Sequence, residues 1–201
     1  MKILLQSGKS IDVSINSLLV PVEQLKPEAV DAIRNACMMA VLEKAVDTFG
    51  ERQRMTLRDL NAADMAYANN IFTETSHATA NQWNAMAFGA FTVARGTVIG
   101  IYGLGISVVH DATIDFHPIT GIRLDVGGAR VAQWHVQSLA QNTSAASVAP
   151  TRVVFGLTKS PVVVNENVTV TIYEYTRTAS TVYEPCWLGI IAEKEGLTLK
   201  P

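Results

Sequence analysis

Charge is scarce in this sequence. Asp, Glu, Lys and Arg make up 17% of its 201 residues, with a formal net charge of −2, whereas an ordinary soluble domain carries roughly a quarter charged residues. Without a basic stripe or patch there is no electrostatic footprint for phosphate, so direct nucleic-acid binding is not expected. The shortage is uneven. Residues 1–80 hold eight Lys/Arg and ten Asp/Glu, while the longer segment 81–201 holds eight of each. A domain that poor in charge is expected to have part of its surface covered by neighbouring subunits.

Cysteine is equally sparse. Cys37 and Cys186 lie in different segments and match no metal spacing or disulfide framework; two buried free thiols is the expectation. No secretory leader is read at Met1–Leu5, because Gln6 and Ser7 cut the apolar run short. The sequons at Asn142 and Asn167 are therefore read as chance matches. No membrane span is expected, since the uncharged run from Gly96 ends at His110 and Asp111, short of the roughly 18 residues a spanning helix needs. The chain also lacks a Gly-x-Ser-x-Gly elbow and any pair of carboxylates patterned for hydrolysis. A non-enzymatic protein without a cofactor is the expectation.

What the chain has in quantity is strand sequence. Gly96 to His117 reads GTVIGIYGLGISVVHDATIDFH, dense in β-branched and aromatic residues with glycines at 100, 103 and 105. A helix there would carry three glycines at about 1 kcal/mol each, whereas a bulged, twisted sheet uses such glycines at bends. Before this stretch, Lys2–Leu5 and Ile11–Ile15 alternate around Gly8 and read as a hairpin or extended arm that must lie against something. Pro27 to Phe49 reads as a helix: Pro27 suits its first turn, Gly50 its C-terminal cap, and Val30, Ile33, Cys37, Val41, Ala45 and Phe49 form a stripe. Met38, Leu42 and Val46 widen that stripe, so more than one face is expected to be buried. A second helix is expected from Thr56 towards Ile71, with Thr56-Leu57-Arg58-Asp59 resembling a capping box, followed by a linker over Thr73–Asn81.

Strands are expected at Phe88–Val93, Thr97–Val109, Thr113–His117, Gly121–Val126, Arg130–Ser138, Arg152–Leu157, Val162–Tyr175 and Trp187–Ala192. Turns are read at Val126-Gly127-Gly128 and Ser160-Pro161, with a turn or bulge at Asn165-Glu166-Asn167. Arg130–Leu139 also fits a short helix. Eight short strands in this space suggest a sandwich or barrel. The three segments expected are an arm over 1–22, a helical region over 23–80 and a β-sandwich over 81–201.

Four constellations bear on chemistry. Gly103-x-Gly105, with Asp125 downstream, superficially matches a dinucleotide fingerprint, but Val108 replaces the third glycine and strand follows where the anion-binding helix should start. His110, Asp111, Asp115, His117 and His135 are the candidate metal ligands; Asp115 and His117 share a strand face and His135 comes from a neighbouring strand. No tight ligand motif supports them, so no metal site is expected, and these are read as ordinary loop-end residues. Cys186, between Pro185 and Trp187, reads as an inert thiol. Trp83, Trp134 and Trp187 with Tyr173, Tyr175 and Tyr183 are candidates for a stacking platform for sugars or bases, although strand periodicity places Trp187 in the core with Leu188 and Ile190.

A helical, charge-bearing first third joined to a charge-poor sandwich of about eight strands resembles viral coat proteins of the jelly-roll type. The resemblance covers mainly Asn84–Pro201. It implies a mainly β fold, an eight-stranded jelly-roll-like antiparallel β-sandwich preceded by an N-terminal arm and two α-helices. It also implies a capsid role in a virion, in trimers, pentamers or hexamers with other virion proteins, after synthesis in a host cytoplasm. The arm and first helix would then lock subunits together. The chain lacks a basic arm, which fits a coat around an internal membrane or a cement protein better than genome packaging. A phage decoration, neck or tail component is the alternative, and a metal- or ligand-binding β-sandwich using Asp115, His117 and His135 a further one.

Overall fold

Ile3 and Ile11 stand opposite each other in an antiparallel pair formed by β1 (Lys2–Leu4) and β2 (Ser10–Asp12). These two strands pair only with one another among the described residues. The structure, a computed structural model, describes residues 2–4, 10–12, 19–22, 25–51, 54–67, 72, 74–107, 119–136, 153–177, 179–180 and 182–195. A third strand, β3 (Val20–Pro21), lies on the edge of a large sheet. Helix α1 then runs from Pro27 to Phe49, with Pro at its start and Gly50 closing it at φ +92°, donating its N–H to the Val46 carbonyl. The expected stripe is the packed face: Cys37, Val41 and Ala45 are fully buried, and Val30, Ile33 and Phe49 pack beside them.

The second expected helix is not formed over 56–67, the part of it that lies within the described residues. Met55–Asp59 is strand β4, antiparallel to the segment Ile190–Lys194, with Leu57 opposite Ala192. Among the described residues a 3-10 turn follows, Ala62–Met65, and its capping box is Asn61 with Asp64 rather than Thr56 with Asp59. A short helix is marginal alone, whereas as a strand this segment gains a ladder and packs Met55 and Leu57 beneath α1. The supposed linker is also structured: β5 (Glu74–Thr75) pairs with Val182 and Tyr183, and Ser76 is buried.

Seven longer strands complete the fold: β6 (Gln82–Thr92), β7 (Thr97–Ser107), β8 (Ile119–Val126), β9 (Ala129–His135), β10 (Val153–Val164), β11 (Thr169–Thr176) and β12 (Val182–Lys194). Arg130 to His135 is thus strand, not helix. Ser160-Pro161 is no chain reversal: β10 runs through it, and the register against β7 jumps between Leu157 and Val162, a bulge that accommodates the proline. The reversal falls at Asn165–Asn167 instead, where Asn167 takes φ +60° and donates to the Val93 carbonyl.

The strands form two antiparallel sheets, a β-sandwich. One is six-stranded in the order β3-β10-β7-β12-β4 with β5 also on β12; the other is four-stranded, β6-β11-β8-β9. The two sheets hold ten described strands against the eight expected: β3 and β5 are too short to show alternation in sequence, β4 lies where a helix was expected, and the strand expected at Thr113–His117 lies outside the described residues. Between the sheets lies the main core, with Ile99, Ile101, Leu104 and Trp187 from one side and Ile122, Leu124, Trp134, Val170 and Ile172 from the other. A second core lies between α1 and the outer face of the large sheet, built on Val98, Tyr102, Leu157 and Ile190. The molecule is layered as helix, sheet, sheet. No helix among the described residues is long and apolar enough to cross a membrane.

Candidate functional site

The six aromatic residues singled out in the sequence divide evenly. Trp134, Trp187 and Tyr183 are fully buried, Trp134 and Trp187 meeting with ring centroids 6.4 Å apart. The Trp187 indole N–H donates to the Tyr67 hydroxyl at 3.1 Å. Trp83, Tyr173 and Tyr175 are only partly buried and stand on the opposite side of the four-stranded sheet, facing away from the core. The burial alternation of β11 sets this: Val170, Ile172, Glu174 and Thr176 point in, Thr171, Tyr173 and Tyr175 point out.

Register then composes the outer face. Trp83, Tyr175, Gly121 and His135 form one cross-strand row; Ala85, Tyr173, Arg123 and Gln133 form the next. Trp83 lies across Gly121, where an added Cβ would stand 2.9 Å from the indole Cη2, so only glycine leaves room for the ring. Trp83 meets Tyr175 edge-on with centroids 5.6 Å apart, and the Tyr175 hydroxyl donates to the Asn81 carbonyl. The Arg123 guanidinium sits 4.0 Å from the Tyr173 ring centroid and 5.6 Å from that of Trp83. Asp125 fixes its far side, with Arg123 Nη2 donating to Oδ2 at 3.1 Å and Nε 3.0 Å from Oδ1. The positive and negative charges of the patch therefore cancel at its centre.

Sequence reasoning missed Arg123 and Gly121 as partners of these rings and met Asp125 only as part of a false fingerprint. Their signal was the shared alternation of 121, 123 and 125 with 173 and 175, which becomes informative only once β8 and β11 are known to pair.

The other constellations resolve differently. Gly103 and Gly105 lie within β7, paired with strands on both sides, where no helix N-terminus exists to hold a phosphate. Of the candidate metal ligands, His110, Asp111, Asp115 and His117 lie outside the described residues, and His135 is exposed on β9. Among the described residues no group of three His, Cys, Asp or Glu converges.

Cys37 is buried beneath α1, and burial pushes its thiol up to about 12, outweighing the lowering effects of an Ile190 backbone hydrogen bond and of Arg34. Burial raises the Cys186 thiol as well. Neither has the electropositive, accessible setting of a reactive thiolate.

Two polar networks are also present. Glu174, fully buried on the aliphatic face of β11, accepts from the His77 backbone N–H at 2.6 Å, from Thr176 Oγ1 at 3.1 Å and from the Tyr183 hydroxyl. It ties the 76–81 loop to β11 and β12. Arg58 bridges Asp64 and Glu193 through paired hydrogen bonds of 2.6 to 3.1 Å, which raise its pKa further and keep it cationic throughout. It fastens β4 and the 3-10 turn to β12. The Glu174 network is buried between the strands, whereas the Arg58 network is half-buried, with 31% of the Arg58 side chain exposed.

No protein-family model matches this chain, and a search of curated proteins finds no match.

Proposed function

We propose that the chain is a self-assembling coat protein of a virus or phage particle, a jelly roll that acts through subunit contacts and not through catalysis. The observation that carries this reading is the nested pairing of eight strands. β4 pairs with β12, β6 with β11, β7 with β10 and β8 with β9. A ribbon of four such antiparallel pairs, wrapped so that alternate pairs enter opposite sheets, gives the orders β10-β7-β12-β4 and β6-β11-β8-β9. Such a wrapping supports the jelly-roll reading, an architecture shared by capsid, lectin and cupin domains.

Fold alone does not fix function, and three further features favour the capsid class. Segment 81–201 is poor in charge. The β1–β2 hairpin pairs with no other described strand, and an isolated two-stranded hairpin is marginal in water, which suits an arm that docks on a neighbouring subunit. The outer side of α1 exposes Met39, 52% accessible, with Ala32 and Ala36, apolar surface available to a neighbour.

The test removes residues 1–18 and compares the truncated and full chains by negative-stain electron microscopy and circular dichroism. The coat reading expects the sandwich to fold in both and regular particles or rings to be lost on truncation. Identical particles from the truncated chain would refute the role of the arm.

A further inference from the structure

We propose that the outer face of the β6-β11-β8-β9 sheet is a binding site for a neutral saccharide, with Trp83 and Tyr173 as its stacking rings. The inference is independent of the coat reading. The outer face of the large sheet is covered by α1, but no described element packs on this one. Three aromatic rings nevertheless stand on it, partly exposed and held in place: Trp83 by Gly121 and Tyr175, Tyr175 by the Asn81 carbonyl, Tyr173 by Arg123. A surface that needed only to be soluble would not fix large rings in this way. A row across four strands spans about 14 Å, the length of a short oligosaccharide.

The chemistry selects the ligand. A pyranose has an apolar C–H face that stacks on an aromatic ring and hydroxyls that both donate and accept. Beside the rings stand a guanidinium and a carboxylate, 14% and 16% exposed, and, opposite Arg123 on β9, Gln133, whose amide both donates and accepts. Arg123 and Asp125 neutralise one another at 3.0 Å, and the exposed Arg130, opposite Asp125 on β9, is a single added positive charge at the β9 side, not a groove of them. Single-stranded nucleic acid, which also stacks on rings, needs a positively charged groove to follow its backbone. An uncharged, hydroxyl-rich ring fits this face and a phosphodiester chain does not.

The experiment titrates the full chain with maltotetraose, cellotetraose, chitotetraose and galactotetraose. Binding is followed by tryptophan fluorescence and by line broadening of the sugar resonances, with a thymidine oligonucleotide as the competing probe. Saturable binding of at least one tetrasaccharide is expected, weakened about tenfold or more in both Trp83→Ala and Tyr173→Ala, with the melting profile confirming that each variant is folded; losing one stacking contact typically has this scale. If one variant fails to fold, the other decides. The proposal is overturned if none of the four sugars binds the wild type, if both folded variants bind as tightly as the wild type, or if the oligonucleotide binds and the sugars do not. A drop in native mass in Trp83→Ala without sugar binding would assign the face to a second copy of the chain and also overturn it.

Discussion

Gly100 lies directly beneath Cys37. A Cβ built on this glycine would stand 2.7 Å from the Cys37 sulfur and would also run into Val41 Cγ2, so the helix can sit on β7 at this distance only because residue 100 has no side chain. The glycine that reads in sequence as a bend is a contact surface for α1. Gly100→Ala should cost about 1–3 kcal/mol through overpacking, seen as a melting temperature lowered by roughly 2–4 °C per kcal/mol. Pairing it with Val41→Ala should recover part of that loss, since neighbouring substitutions couple. An unchanged melting temperature for Gly100→Ala would mean that α1 does not pack as described.

Trp187 and Trp83 should respond differently to the same truncation. Trp187 is buried between the sheets and bonded to Tyr67, so Trp187→Ala should destabilise by about 3–5 kcal/mol. Trp83 stands on the outer face, and Trp83→Ala should cost about 1 kcal/mol or less, the range of a surface aromatic pair. Urea denaturation of the two variants side by side would check this, and equal losses would contradict the division of the aromatic residues into core and face.

The buried carboxylate of Glu174 holds three donors at once. Glu174→Ala removes the carboxylate that accepts from the Tyr183 hydroxyl and the His77 N–H, and losing a buried acceptor of this kind costs about 1–3 kcal/mol. Tyr183→Phe removes one donor and should cost less. In a double-mutant cycle the two losses should be clearly less than additive, because the second substitution deletes a partner already gone; strict additivity would show that they do not interact.

Burial of Cys37 links stability to alkaline pH. Its thiol ionises near 9.0 when unfolded and is pushed up to about 12 in the folded protein, so the contribution is complete below pH 9 and falls as pH rises from 9 towards 12. The urea midpoint should decline across that window more steeply for the wild type than for Cys37→Ala. Parallel declines would show that Cys37 is not the linked group. At pH 8 the native thiol should also resist a disulfide reagent that labels the unfolded chain.

Much of this architecture was legible in the sequence where a period was long and uninterrupted. Helix α1 has a proline start, a glycine stop and a stripe over 23 residues, and Val168, Val170, Ile172 and Glu174 alternate in sequence with Thr169, Thr171, Tyr173 and Tyr175, the two faces that β11 presents. Elements held by distant partners were not legible. Met55–Asp59 carries local helix signals and becomes a strand because β12 offers a ladder from more than a hundred residues away. Pro161 reads as a turn because nothing local reveals that β7 supports a bulge there. The outer face was half visible: Tyr173 and Tyr175 share a face by period, but Trp83, Gly121 and Arg123 join them only through register.

The central claim, that this chain is built to assemble, is tested most directly by its native mass, measured by light scattering coupled to size exclusion over a range of concentrations. The account predicts a particle far above the 21.7 kDa of a single chain, growing with concentration or fixed at a multiple that closes into a ring or shell. A monodisperse species of monomer mass at every concentration would contradict it.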